Sequence, residues 1–139
     1  MKRCGLILLI VLLGCARHQP SIEIKVGLTD NNHSLQISGF EKMIIDDISR
    51  DTSSQAWQTL LPVYKMPVDT DMKDFQSAQP GKYKATGSEV IFTPDTPFRH
   101  GQVYFLRAFD YSGSKDAWDF IRKQKGKGFA GHKDLLFKY

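Results

Sequence analysis

Three things are scarce in this sequence: cysteine, long hydrophobic runs and the short motifs of common enzymes. The only cysteines are Cys4 and Cys15, so the body of the chain has no thiol for a disulfide framework or a zinc site. The longest unbroken apolar run, Leu6 to Leu13, has eight residues. Even the twelve residues from Cys4 to Cys15 would cover only about 18 Å as a helix, whereas a bilayer core is about 30 Å thick. The run is too short to predict a membrane-spanning helix.

Metal-binding and nucleophile patterns are also missing. The chain has no Gly-x-Ser-x-Gly motif, and the four histidines form no ligand pair: His18, His33, His100 and His132. A zinc site needs three or four converging ligands. The sequence therefore predicts no catalytic residue, no metal ligand and no cofactor.

Two further patterns fall short of a known site. Asp69, Asp71 and Asp74 resemble part of a calcium loop, but the glycine and the distal glutamate of an EF-hand are absent. Gly126 and Gly131 have the spacing of P-loop glycines, but no lysine follows directly. A solvated polar loop explains the first pattern and a flexible loop the second.

The first twenty residues have the composition of an export signal. Lys2 and Arg3 precede the short apolar run, and Pro20 follows it. A basic start, a short apolar stretch and then a small residue are typical of a secretory signal peptide. Residues 1–14 are therefore expected to be removed.

The end of this run, Leu12-Leu13-Gly14-Cys15, resembles a bacterial lipobox. The resemblance implies cleavage between Gly14 and Cys15, a diacylglycerol on the Cys15 thiol and acylation of the new amine. One acyl chain, at about 0.8 kcal/mol per buried CH₂, binds a membrane weakly, whereas two or three hold a protein there. The expected partner of Cys15 is thus membrane lipid. An ordinary signal peptide with a chance cysteine is the alternative.

The residues after Cys15 bear on the destination. Ala16 stands where an aspartate would resemble an inner-membrane retention signal, and neither Arg17 nor His18 is acidic like the surface-export tags of some lipoproteins. These features favour the outer membrane, on its periplasmic side. Residues 15–21 are expected to be the lipidated tether and residues 22–139 a single domain.

Charge is concentrated near the C-terminus. Without Lys2 and Arg3 the chain carries 17 basic and 15 acidic residues, but residues 112–139 alone carry seven basic against three acidic. This segment could contact anionic lipid headgroups, or it could be a solvated basic loop. Nothing in the sequence predicts a nucleic-acid partner.

Alternating apolar and polar residues predict a β-rich domain. One hairpin is expected over residues 22–38 and another over residues 82–94, with further strands at 57–63, 101–111 and 134–139. Residues 41–56 fit either a strand or a short helix, and 66–82 read as a long loop. The pattern predicts an all-β antiparallel sandwich of about seven strands, with one short helix near residues 114–125.

The stretch Phe92-x-Pro94-x-x-x-Phe98-x-x-Gly101-x-x-Tyr104 is similar to part of the bacterial immunoglobulin-like domains. The resemblance implies an Ig-like sandwich in which the Pro and Gly turn the chain between two strands and Tyr104 is the tyrosine corner. The sequence departs from the pattern at Phe98, where the family usually has leucine.

The expected function is that of a membrane-anchored envelope lipoprotein that acts as a binding or assembly module for another envelope protein or polymer. Two alternatives remain open. One is a small periplasmic enzyme or enzyme inhibitor whose site uses loops 66–82 and 112–133. The other resembles the outer-membrane sandwich lipoprotein of type VI secretion machines, and rests on size, anchor and residues 108–120. Trp57, Trp118 and the nine phenylalanines could line a binding surface, although aromatic residues in strands are more often core.

Overall fold

The computed structural model describes residues 23–29, 31–40, 42–50, 54–109, 118–119, 122 and 131–139. Within these residues the chain forms seven strands: β1 (Lys25–Leu28), β2 (Leu35–Ser38), β3 (Val63–Lys65), β4 (Gly81–Thr86), β5 (Glu89–Pro94), β6 (Val103–Phe109) and β7 (His132–Lys138). It also forms the helices α1 (Lys42–Ser49) and α2 (Ser54–Leu60) and a 3₁₀ helix (Thr70–Phe75), and Trp118, Asp119 and Arg122 are helical as well. The predicted signal peptide and tether lie outside the described residues.

The strands form two antiparallel sheets, in the orders β1-β2-β5-β4 and β3-β6-β7. The predicted all-β sandwich of about seven strands is thereby confirmed. The same two orders occur in the sheets of constant-type immunoglobulin domains. Membership of the immunoglobulin-like class stays a prediction.

Both predicted hairpins are present. Val26 of β1 lies opposite Ile37 of β2, and Tyr83 of β4 lies opposite Phe92 of β5. Gly87 has a φ of +61°, the left-handed conformation that tight hairpin turns require. Because side chains alternate across a strand, one side of each hairpin supplies the core and the other faces outward.

Aromatic rings join the two sheets in the core. The ring of Phe98, in the connection between β5 and β6, lies 6.5 Å from that of Phe92 and 4.8 Å from that of Tyr104. It also meets Phe137 of β7 edge-on at 5.4 Å. Phe98 is buried, so the residue that departs from the immunoglobulin-like pattern fills the space between the sheets.

The turn between β5 and β6 is fastened by Tyr104. Its hydroxyl accepts a hydrogen bond from the backbone N–H of Arg99, at 2.9 Å, as the tyrosine corner does in immunoglobulin sandwiches. In the same turn the N–H of Gly101 donates to the carbonyl of Tyr139, at 2.6 Å. The turn is therefore tied to the end of β7 as well as to β6.

The strand predicted over residues 57–63 is wrong for most of its length. Ser54–Leu60 is helix α2, and strand β3 begins only at Val63. Three residues of α2 are buried: Ala56, Trp57 and Leu60. This spacing places them on one face of a helix, and that face packs into the core. The preceding ambiguous stretch contains helix α1.

Two other predictions concern connections between strands. Trp118, Asp119 and Arg122 are helical, which agrees with the helix predicted near residues 114–125; the rest of that range lies outside the described residues. The loop predicted over residues 66–82 contains the 3₁₀ helix and ends two residues earlier than expected, because β4 begins at Gly81.

Glu23, the first described residue, lies at the end of the sandwich where strands β2 and β4 end. Gly39 follows β2 with a φ of +93°, and a Cβ atom at this position would overlap the carbonyl oxygen of Glu23. Glycine permits this close approach. Glu23 therefore lies at the end of the sandwich that also carries the Gly87-Ser88 turn.

Candidate functional site

The two outer faces of the sandwich differ in chemistry. The outer face of the four-stranded sheet is largely polar, and its Gln36 side chain donates to Glu89 at 2.7 Å. The outer face of the three-stranded sheet, called here the aromatic face, carries Tyr64, Phe105, Arg107, Asp134 and Leu136. A solvated polar face needs no partner, so the aromatic face is the candidate functional site.

The middle of the aromatic face is covered by the 3₁₀ helix. Asp69 caps this helix by accepting from the N–H of Asp71 at 3.0 Å. Lys73 then lies 4.8 Å above the ring of Phe105 and 2.6 Å from a carboxylate oxygen of Asp134. Phe105 is fully buried as a result, although it points away from the core between the sheets.

Arg107 is the one charged residue among the described buried residues, with 5 % of its surface exposed. Its Nε and Nη2 atoms donate to the two carboxylate oxygens of Asp134, at 2.9 and 3.1 Å, and Nη2 also donates to Asp74 at 2.7 Å. Its guanidinium carbon lies 5.5 Å from the ring centre of Tyr64. We call Lys73, Asp74, Arg107 and Asp134 the Arg107 cluster; it holds two positive and two negative charges and is neutral.

The charges of this cluster reinforce one another. The hydrogen bond from Arg107 to Asp134 raises the arginine pKa. Burial works to raise the pKa of Asp134, but hydrogen bonds from Arg107 and Lys73 outweigh it and leave that pKa below its ordinary value. Asp134 is therefore ionised at neutral pH and its oxygens are engaged. The chemistry of the cluster is that of a fastening between β6, β7 and the 3₁₀ helix.

We expect the stability of the fold to fall in acid because of Asp134. Its pKa is lower in the folded chain than the value of 3.8 that the unfolded chain would have. The stabilisation is thus fully present above about pH 4 and is lost as the pH falls through the lower, folded pKa. Urea unfolding between about pH 7 and about pH 2.5 measures the effect.

A matched pair of variants isolates this contribution. Asp134→Asn should flatten the acid dependence, whereas Asp46→Asn, at an exposed position on α1, should retain it. The same acid dependence in both variants would assign the effect to other carboxylates.

Exposed apolar side chains lie in the same chain segments as the residues of the Arg107 cluster. Among the described residues, large apolar side chains are exposed at four positions: Val68 (106 %), Met72 (47 %), Phe75 (77 %) and Leu136 (58 %). Three belong to the segment between β3 and β4 and the fourth lies on the aromatic face itself. We call these four residues the apolar rim.

Sequence comparison adds no relative. No family model, curated protein or solved structure matches this chain. Among the described helices, none is both long and apolar enough to cross a bilayer.

The predicted lipidation site, Cys15, lies outside the described residues. Of the histidines, His33 and His100 are exposed, and His132 lies 4.0 Å from Asp134. The described part of the chain contains no cluster of three or more histidine, cysteine or acidic residues that could hold a metal ion. Two of the three carboxylates of the DTDMKD stretch are used structurally, since Asp69 caps the 3₁₀ helix and Asp74 binds Arg107.

The structure brings together residues that the sequence did not group. The enzyme alternative paired loop 66–82 with residues 112–133, and the observed contact is between Lys73 of the first and Asp134, just beyond the second. From the basic segment, Arg122, Lys133 and Lys138 are exposed, and the remaining basic residues lie outside the described part. The sequence signal that was missed is Arg107, a charge within the otherwise uncharged strand VYFLRAF.

Proposed function

We propose that this protein is an acyl-anchored lipoprotein of the bacterial envelope that binds another envelope protein through its aromatic face and apolar rim. The observation that carries the binding role is the position of the apolar rim: each large apolar side chain exposed in the described residues lies on the aromatic face or on the segment that packs on it. Exposed apolar side chains grouped on one side of a domain are typical of interaction surfaces.

The part of the rim on the 3₁₀ helix is held in place before a partner arrives. Lys73 and Asp74, which lie between Met72 and Phe75 in the chain, are fixed to Asp134 and Arg107. A fixed surface loses less conformational entropy on binding than a flexible one. This preorganisation supports a role in binding and gives the Arg107 cluster a function.

The anchor belongs to the same proposal and is supported by the lipobox-like residues ending at Cys15. Eight residues lead from Cys15 to Glu23, enough for a reach of about 28 Å when extended. The domain would be held at the end where Glu23 enters the sandwich, with the aromatic face on its flank. The residue after Cys15 is Ala16, which favours the outer membrane.

Mass spectrometry of the mature N-terminus tests the anchor. We expect the chain to begin at Cys15 and to carry two or three acyl chains. Cys15→Ala should abolish both the acyl mass and the cut after Gly14, so the variant should carry no lipid and retain residues 1–14. Cys4→Ala is the control, because Cys4 lies in the predicted signal peptide and its loss should change neither the acyl mass nor the cut.

Site-specific photo-crosslinking in intact cells tests the binding surface separately. A photoreactive residue at Phe75 should give a discrete adduct with one envelope protein. The same residue at Thr93, exposed on the polar face of the other sheet, should give none. Adducts of the same pattern from both positions, or none from position 75, would remove the aromatic face as a binding surface while leaving the anchor untouched.

A further inference from the structure

Strand β7 is an outer strand of its sheet. The hydrogen bonds of β6 show which backbone groups of β7 point away from β6. On the side of β6 that faces β3, the carbonyl of Val103 accepts from Met66 at 2.9 Å and the N–H of Arg107 donates to Pro62 at 3.0 Å. Backbone groups alternate between the two neighbours of a strand, so Tyr104, Leu106 and Ala108 bond to β7.

The register then shows which groups of β7 remain. Tyr104, Leu106 and Ala108 lie opposite Phe137, Leu135 and Lys133. The N–H and C=O groups of the alternate residues point away from β6: His132, Asp134, Leu136 and Lys138. In the described part of the chain β7 pairs with β6 alone. Strand β1 of the other sheet packs against β7 but forms no ladder with it, so these donors and acceptors remain for a further strand.

The other outer strands are built to discourage such pairing. β1 and β3 have only four and three residues, and β3 lies between Pro62 and Pro67. β4 is longer but exposes Lys82 and Lys84. Short strands, prolines and lysines are the usual protection of a sheet edge. β7 also exposes two lysines, Lys133 and Lys138, but they lie near its two ends; the strand has seven residues and exposes Leu136 between them.

The side chains of β7 fit a second copy of the same strand. An antiparallel pair with its two-fold axis at Leu136 places the two Leu136 side chains opposite each other. Tyr64, Phe105 and Leu136 form one row across the sheet, so the row would continue into the same three residues of the second copy. Apolar cross-strand neighbours of this kind stabilise paired strands.

The charges agree with the same register. Two residues on either side of the axis, Asp134 of one copy faces Lys138 of the other, and the reverse pair is related by symmetry. Lys138 is exposed, and the Asp134 carboxylate already binds Arg107 and Lys73. Lys138 therefore adds a further cation beside that carboxylate, whereas an acidic residue at position 138 would face it with the same charge.

We propose that two copies of this chain associate through antiparallel pairing of their β7 strands about Leu136, which joins their three-stranded sheets into one six-stranded sheet. The two aromatic faces then form a continuous surface with two apolar rims. The pairing uses only the folded domain and needs no acyl chain on Cys15.

Disulfide trapping in membranes from cells that express the full-length chain tests the register. Leu136→Cys should give a covalent dimer on mild oxidation, because facing residues of a hydrogen-bonded antiparallel pair lie about 5.5 Å apart between Cα atoms, within disulfide reach. Thr93→Cys lies on β5, whose two edges are both paired, and should remain monomeric. The unsubstituted chain reports any dimer that forms through Cys15. Equal yields from the three chains would overturn the proposal.

Sedimentation of the purified full-length protein in detergent provides a second test that leaves Leu136 intact. The unsubstituted protein should sediment as a dimer that dissociates on dilution. Lys138→Glu should raise the dissociation constant at least about tenfold, since it places two acidic residues opposite each other at both ends of the pair. Lys82→Glu changes the net charge equally on an edge outside the interface and should leave the constant unchanged. A monomer at all concentrations, or the same constant in both variants, would overturn the proposal.

Discussion

Replacing Asp134 by alanine is expected to lower the free energy of unfolding by about 3–5 kcal/mol, the range found when one partner of a buried ion pair is removed. Arg107 would keep its charge, since arginine is not deprotonated in proteins. It would also stay buried, with only Asp74 to pair with. The side chain of Asp74 is 70 % exposed, whereas that of Asp134 is 10 % exposed. Asp74 therefore cannot take the place of Asp134 as the buried partner of Arg107. Urea unfolding followed by tryptophan fluorescence measures the loss.

Asp74→Ala is the matched control, because it removes a carboxylate from the same guanidinium and changes the net charge equally. We expect a loss of about 1 kcal/mol or less, as for other exposed ion pairs. A double variant, Arg107→Met with Asp134→Leu, should recover much of the stability lost in Asp134→Ala, since well-packed apolar residues can replace a buried pair. Equal losses from Asp134→Ala and Asp74→Ala would show that burial of the pair contributes little.

The same substitution bears on the proposed binding role. Asp134 holds Lys73 and, through Arg107, Asp74. Both belong to the 3₁₀ helix that presents Met72 and Phe75. Loss of the carboxylate would therefore loosen the apolar rim before it unfolded the sandwich. Crosslinking from Phe75 is expected to weaken in the Asp134→Ala variant even where the chain remains folded.

The sandwich could be predicted from the sequence because its hairpins are local. β1 with β2 and β4 with β5 are joined by short turns, and alternation alone identifies the buried side of each strand. Gly87 marks one turn by its need for a positive φ. These features depend on neighbours in the chain, so they can be recognised without knowing how the sheets pack.

The sequence predicts a strand where α2 lies because a short apolar segment fits both the two-residue period of a strand and the 3.6-residue period of a helix. Alternation over Trp57, Thr59 and Leu61 suggests a strand, but it leaves Ala56 and Leu60 on the wrong side. With Trp57 they occupy positions 56, 57 and 60, which suit one helical face. All three are buried, so the helical period is the correct one for this segment.

The Arg107 cluster could not be assembled from the sequence. Arg107 is 33 residues from Asp74 and 27 from Asp134, and each acidic residue by itself resembles a solvated charge. Only the β6–β7 register places Arg107 opposite Asp134, and that register depends on a long connection whose length says nothing about pairing. The one hint in the sequence is an arginine within an otherwise apolar strand. The lipid anchor at Cys15 stays a prediction from the sequence.

Replacing Trp57 by alanine is the second change expected to have a large effect, about 3–5 kcal/mol for a buried aromatic residue. Trp57 is 4 % exposed and stacks against Tyr83 of β4, with ring centres 6.4 Å apart. The Tyr83 hydroxyl in turn donates to the carbonyl of Leu61 at 2.8 Å, just beyond the end of α2. The ring and the hydroxyl together fasten this helix to the four-stranded sheet.

Two milder variants separate packing from the hydrogen bond. Tyr83→Phe keeps the stacked ring and removes only the donor to Leu61, so we expect a loss of about 1 kcal/mol. Gln55→Ala, at an exposed position on the same helix, should change stability by no more than about 0.5 kcal/mol. Urea unfolding measures all three, with circular dichroism as the signal because Trp57 is itself a fluorophore. If Trp57→Ala were as mild as Gln55→Ala, the Trp57 side chain would not be what docks α2 on the four-stranded sheet.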